Sequence, residues 1–263
     1  MIPKNAFFFW NKGTKLSYLR YQTLVTFREL HPDWKIYICN PTIKKFKKWL
    51  GVEKQDFLNK EKGIDYLEIA KELDINIIDY TKHTEKAPVH TADFFRWDAL
   101  YNNGGWFFDL DQIFLKNFDN LCKYDFVFDG SGNYYIGVIG MAKNCKIGKF
   151  VYENMHQVYD SDHYCCTGPW YMRTLMLPPG APKFKLLEKQ YNTFYAPADY
   201  FYPVVSSASV KEILYDNKND ISKDAYAIHW FGGHPDSQEF NKRYTSESKS
   251  EYDNTITKYI NRN

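Results

Sequence analysis

Two hydrophobic periods alternate along the first half of this chain, and that alternation limits what it can become. Residues 6–10, 35–39 and 75–79 are apolar runs of strand length, separated by residues 16–30 at helical spacing and by a longer helical stretch over 41–74. Strand and helix in succession predict βαβ units, hence an α/β architecture with a mostly parallel sheet flanked by helices. Ligands in such sheets gather beyond the C-terminal strand ends, which draws Phe8, Trp10, Asn40 and Asp79 toward one edge. For Trp10 and Asn40, contact with a nucleoside base or ribose stands beside plain strand-end packing.

The stretch from His90 to Asp111 carries the chemistry. It reads as a helix opening after Pro88 and closing at Gly104-Gly105, followed by the apolar strand Trp106-Phe107-Phe108 and then Asp109-Leu110-Asp111. Asp93 and Arg96 fall on one helix face with Leu100, where the bland alternative is a solvated pair. If extended geometry persists past Phe108, Asp109 and Asp111 point the same way. Paired carboxylates suit a hard divalent cation, Mn²⁺ or Mg²⁺, whose shell is completed by water and phosphate oxygens.

The order of these parts resembles glycosyltransferase family thirty-two, which includes the fungal-type mannosyltransferases and, more distantly, the glucosylating clostridial toxins. The shared block is matched at Ala92-Asp93, Arg96, Leu100-Tyr101, Gly104-Gly105 and Asp109-Leu110-Asp111. Weaker echoes lie at Ile2-Pro3-Lys4 with Phe7 to Trp10, at Thr167-Gly168-Pro169, and at Ala227-Ile228-His229-Trp230. Two departures stand out: Phe107 occupies the place of the toxins' tyrosine, and Gly232-Gly233-His234-Pro235 replaces a Ser-Trp pair.

The resemblance implies a GT-A-like (Rossmann-like) single domain over 1–263, with a nucleotide-sugar half near 1–115, an acceptor half near 116–236 and a tail over 237–263. It implies a metal-dependent, retaining transferase that moves a sugar from a nucleotide-sugar donor to a hydroxyl acceptor, a glycan. UDP-sugars are favoured as donors, with GDP-mannose the other choice. Asp109 and Asp111 would serve the metal with His229 as a further ligand, and His234 is a second candidate. Asp93 and Arg96 would hold the donor sugar, and donor contacts would also come from Phe107 and Asp109.

Composition narrows the function classes. A net charge of +2 gives no strongly basic field for nucleic acid, although the run Lys44-Lys45-Phe46-Lys47-Lys48-Trp49 is compatible with an anionic surface as well as with an exposed helix. Aromatic residues reach 19% of the chain, which is permissive for sugar and base stacking. Five cysteines, without any C-x-x-C spacing, indicate neither a disulfide framework nor a zinc site. Met1 runs directly into a strand and no long apolar segment follows, so the expectation is a cytoplasmic enzyme of bacterial or viral type with no stable membrane insertion.

In the second half, strands are expected at 125–128, 135–141 and 225–230, with helices near 148–159 and after Pro169. The turn Asp129-Gly130-Ser131-Gly132-Asn133 either covers the donor sugar, through Gly132 and Asn133, or is a plain hairpin connection. Two other function classes use the same residues. A phosphohydrolase or nuclease would want more carboxylates for a second metal, and a non-enzymatic sugar- or nucleic-acid-binding module would lose little on metal removal.

Overall fold

A computed structural model describes residues 1–43, 64–178, 180–204, 207–217 and 220–262, with the side chains of 207 and 208 excepted. The basic run from Lys44 to Trp49 lies outside the described residues. In chain order the elements are β1 (Asn5–Phe9), α1 (Tyr18–Leu30), β2 (Lys35–Cys39), α2 (Tyr66–Ala70), β3 (Ile75–Ile78), α3 (Pro88–Asn103), β4 (Gly105–Phe108) and β5 (Gln112–Phe114). There follow β6 (Phe126–Asp129), β7 (Val138–Met141), α4 (Lys146–Val158), α5 (Pro169–Met176), α6 (Ala181–Glu188), β8 (Thr193–Ala196) and α7 (Ala198–Phe201). The last are α8 (Ser207–Tyr215), β9 (Ala227–His229), α9 (Pro235–Arg243) and α10 (Thr255–Ile260).

Seven strands form one sheet in the order β3-β2-β1-β4-β7-β6-β8, and only β7 runs against the rest. The predicted mostly parallel sheet is therefore observed, and β7, between β4 and β6, joins the two halves of the chain in one layer. Because the other six strands share a direction, β1, β4, β6 and β8 deliver their C-terminal ends to the same edge. Alternation along the strands sorts the core into two faces: Phe8, Trp106, Phe108 and Val127 pack on the α1 side, while Phe7, Phe107, Phe126 and Phe128 pack on the α3 side. All four residues of β4 are buried, as a strand covered by helices on both sides requires. Truncating one of these rings to alanine would cost about 3–5 kcal/mol.

Local chemistry fixes the element that leads into the acid pair. Pro88 sits at the start of α3, where its missing N–H costs nothing, and Gly104 closes the helix at φ 67°. Gly105 follows at φ 129°, and a Cβ on it would stand 2.5 Å from the Asn5 carbonyl oxygen, so this corner accepts only glycine. Two antiparallel strands, β5 and β9, form a separate ribbon that pairs Gln112 with His229. The last stretch is ordered by packing: Phe240, Tyr244 and Ile256 are buried in the α1-side core, and Asn254 and Thr257 form a reciprocal cap on α10. No helix among the described residues is long and apolar enough to cross a membrane.

Candidate active site

Asp93 and Arg96 lie one turn apart on α3, and both are buried, so the solvated-face reading of this pair does not hold. Arg96 Nη1 donates to Asp93 Oδ1 at 3.0 Å and Nη2 donates to Asp109 Oδ1 at 2.9 Å. Its guanidinium lies 4.2 Å above the Phe107 ring. Thr167 Oγ1 donates to the other Asp93 oxygen at 2.8 Å. One arginine thus locks the helix to the end of β4, in an environment where an uncompensated charge would be costly.

The acids follow β4 in a bend and do not continue the strand, which ends at Phe108. Their convergence comes from pinned backbone instead. The Asp109 N–H donates to the Gly137 carbonyl at 2.8 Å, and the Leu110 carbonyl accepts from Arg20 Nη1 at 3.2 Å and Thr23 Oγ1 at 3.3 Å. The Asp111 carbonyl accepts from Trp230 N at 2.9 Å, and its Oδ2 accepts from Gly232 N at 2.7 Å. Both side chains are thereby held toward β9.

Pairing of β5 with β9 places His229 beside them. Its Nε2 is 3.2 Å from Asp111 Oδ1 and 3.6 Å from Asp109 Oδ2, and the three donor atoms lie within 4.8 Å of one another. Three features fit this cluster to a hard divalent ion. Asp111 Oδ1 is buried without a hydrogen bond. A Cβ on Gly137 would stand 2.6 Å from Asp109 Oδ2 and 3.1 Å from His229 Nε2, so only glycine leaves the cradle open. Two carboxylates and an imidazole are donors that Mn²⁺ or Mg²⁺ accepts. The Phe231 N–H donates to His229 Nδ1 at 3.2 Å, so a neutral ring in this setting carries its proton on Nε2; ligation through Nε2 moves that proton to Nδ1 and exchanges the Phe231 contact.

The electrostatics agree with this division of labour. Burial pushes Asp93 up to about 6 against the pull of Arg96 and Thr167, so it is ionised at neutral pH. Burial acts on Asp109 in the same sense, but Arg96, then His229 and Arg20, outweigh it and hold its carboxyl below the usual range. The Tyr202 hydroxyl, which accepts from Val138 N at 3.0 Å, is pushed well up by burial and by the charge of Asp109. Three carboxylates face two guanidinium groups in this small volume.

The remaining expected residues are dispersed. Phe8 is a core residue: its ring packs against Phe27 and Phe108 with no exposed surface, so its side chain has no path to a ligand. Phe107 is likewise buried and supports Arg96 from beneath. The Trp10 indole donates to the Thr14 carbonyl at 2.8 Å, and the Trp10 carbonyl accepts from Asn40 Nδ2 at 2.6 Å. Asp129 ties its own turn through Ser131 and the Tyr135 N–H, leaving Gly132 and Asn133 on the β6 side. His234 caps α9 through Asp236 N and lies outside the three-residue cluster found among the described residues. Arg20, Gly137 and Tyr202 carry no sequence signal, and Gly232 stands out in the sequence only as part of the departure from the family's Ser-Trp pair. Arg20 sits 5.0 Å from the Trp10 ring and 5.1 Å from the Trp230 ring, and a side chain on Gly232 would collide with its Nη2.

Comparison with known proteins bears on this arrangement. Residues 18–127 match the family model described as glycosyltransferase sugar-binding region containing DXD motif. No curated protein matches the chain. Among solved structures, the PaToxG glycosyltransferase is 18% identical with a TM-score of 0.49, over 72% of this chain and 73% of that one. The glycosyltransferase GlyE of Streptococcus pneumoniae TIGR4 is 13% identical with a TM-score of 0.48, over 86% of this chain and 55% of that one. The galactosyltransferase LgtC, solved with donor and acceptor sugar analogs, is 12% identical with a TM-score of 0.41, over 94% of this chain and all of that one. The chain therefore spans about half the length of GlyE, and likeness at this level adds no argument of its own. The family match encloses α3, the Arg96 clamp and the acid pair, so over residues 18–127 the chain is similar to the DXD-containing sugar-binding region of glycosyltransferases.

Proposed function

We propose that this enzyme transfers a sugar from a nucleotide-sugar donor to a hydroxyl group of a glycan acceptor, with Mn²⁺ or Mg²⁺ held by Asp109, Asp111 and His229. One observation carries the proposal: Asp109 Oδ2, Asp111 Oδ1 and His229 Nε2 lie within 4.8 Å of one another around a cradle kept open by Gly137. When bound, the cation supplies Lewis-acid stabilisation of the departing diphosphate.

The chain's own groups do the rest. Arg96 holds Asp109 Oδ1, which leaves Oδ2 turned to the cradle, while Asp93 and Thr167 fix the guanidinium from behind. Asp93 and Arg96 border the place where donor sugar hydroxyls would lie. The resemblance supports a retaining course: the bond from the anomeric carbon to the diphosphate breaks, the acceptor oxygen bonds that carbon on the same face, and the acceptor proton passes to the departing phosphate oxygen. A UDP-sugar is the favoured donor.

The test is a panel of nucleotide sugars in thermal-shift and turnover assays with and without Mn²⁺. A donor that stabilises the protein only with metal, and is consumed, supports the reading. Metal-independent binding of every nucleotide sugar would contradict it.

A further inference from the structure

A cleft of about 290 Å³ opens where β6 and β8 end, with Asp129, Tyr134, Phe184, Lys185, Glu188 and Tyr195 in its lining. Its position follows from the sheet. β6 and β8 are parallel to β4, so the cleft shares the edge that carries the acid pair. Phe184, and Tyr134, Met176 and Tyr195 packed around it, belong to the α3-side core, the face that also carries Arg96 and Phe107. At about 4.8 Å per strand, two to three strands separate the cleft from β4, which sets it roughly 10–15 Å from the metal cradle. The donor-side strands β1, β2 and β3 lie across β4 in the opposite direction.

We propose that this cleft is a subsite for a neutral hexose unit of the acceptor glycan, one or two sugars removed from the attacking hydroxyl. The inference rests on the glycosyltransferase reading and extends it to the acceptor. The volume is at the small end of ligand sites, which suits one sugar ring better than a nucleotide. Tyr134, Phe184 and Tyr195 offer aromatic carbon to the apolar face of a pyranose. Polar contacts remain at the rim. The Tyr195 hydroxyl is buried with no hydrogen bond, Lys185 and Glu188 supply one cation and one anion, and the second acid of the lining, Asp129, is engaged by three hydrogen bonds within its own turn.

The wall is also rigid and continuous with the catalytic centre. Asp129 accepts from Ser131 N at 2.9 Å, Ser131 Oγ at 2.7 Å and Tyr135 N at 3.0 Å, and the same segment runs on to Gly137 against Asp109. A sugar seated in the cleft is thus registered to the metal cradle through the continuous segment from Asp129 to Gly137.

The experiment is saturation-transfer NMR, with titration, on the metal-free, donor-free protein, using methyl glycosides of neutral disaccharides of glucose, galactose and mannose as probes. At least one disaccharide should bind in the millimolar range. Lys185→Ala combined with Glu188→Ala should weaken it at least tenfold with an unchanged melt, and Tyr195→Phe should weaken it as well. Asp109→Asn should bind the disaccharide as the unaltered protein does, because the cleft lies away from the cradle. No binding by any probe, or full binding by the Lys185/Glu188 double variant, overturns the subsite. Since the measurement needs neither metal nor donor, its failure leaves the transferase reading standing, and loss of donor binding would leave this result standing.

Discussion

Gly137 and Asp109 are matched at two points: the glycine carbonyl accepts the Asp109 N–H at 2.8 Å, and a Cβ on the glycine would stand 2.6 Å from Asp109 Oδ2. One residue therefore orients the first acid and keeps the space before it open. Gly137→Ala should weaken Mn²⁺ binding at least tenfold in calorimetric titration. Overpacking should also lower stability by about 1–3 kcal/mol. Wild-type Mn²⁺ affinity in this variant would show that the cradle lies elsewhere.

Arg96 bridges two carboxylates with two different nitrogens, a task for a planar fork that a lysine ammonium performs poorly. Arg96→Lys should lower kcat/KM at least a hundredfold and stability by about 2 kcal/mol, the latter because one buried carboxylate is left short of a partner. Kinetics near wild type, together with a lowered melt, would confine Arg96 to a structural role.

Asp93 gives a pH dependence with a defined sign. Its folded value of about 6 exceeds the unfolded 3.8, so its contribution to stability is fully present below pH 3.8 and is lost as pH rises to about 6. The two-unit gap amounts to up to about 3 kcal/mol. Asp109 is shifted the other way, and its contribution is lost only as pH falls below 3.8, outside that window. Melting from pH 4 to 7 should therefore show the native protein losing stability relative to Asp93→Asn; parallel profiles would contradict the raised value.

Much of this architecture was legible from local chemistry. The periods that mark β1, α1, β2 and β3 depend on neighbours in sequence, and so do Pro88 and the Gly104-Gly105 corner that bracket α3. Asp93 and Arg96 announced themselves by helical spacing, though burial on α3 and the bond to Thr167 depend on α5 packing alongside. Other parts rest on contacts between distant segments. His229 reaches Asp111 because β9 pairs with β5, and nothing in either segment specifies that pairing. Arg20 reads as an ordinary helix residue until Trp10, Leu110 and Trp230 close around it. Phe8 was drawn toward the ligand edge by strand position, yet alternation turns its ring to the α1 side of the sheet.

His229 offers a test of the third ligand. Mn²⁺ on Nε2 leaves a neutral ring's proton on Nδ1, at the cost of the Phe231 contact, so the ring keeps its proton count while gaining the metal. His229→Gln should bind Mn²⁺ at least tenfold more weakly in calorimetric titration. Unchanged affinity in the variant would remove His229 from the cluster.

The central claim is that Asp109 and Asp111 grip a cation that in turn grips a nucleotide sugar's diphosphate. The direct measurement is a thermal-shift series with Mn²⁺ alone, a UDP-sugar alone and both together, on the native protein, Asp109→Asn and Asp111→Asn. The account predicts a stabilisation by the pair that exceeds the sum of the separate shifts in the native protein and disappears in each variant while the unliganded melt changes little. An equal, metal-independent shift in all three proteins would contradict it.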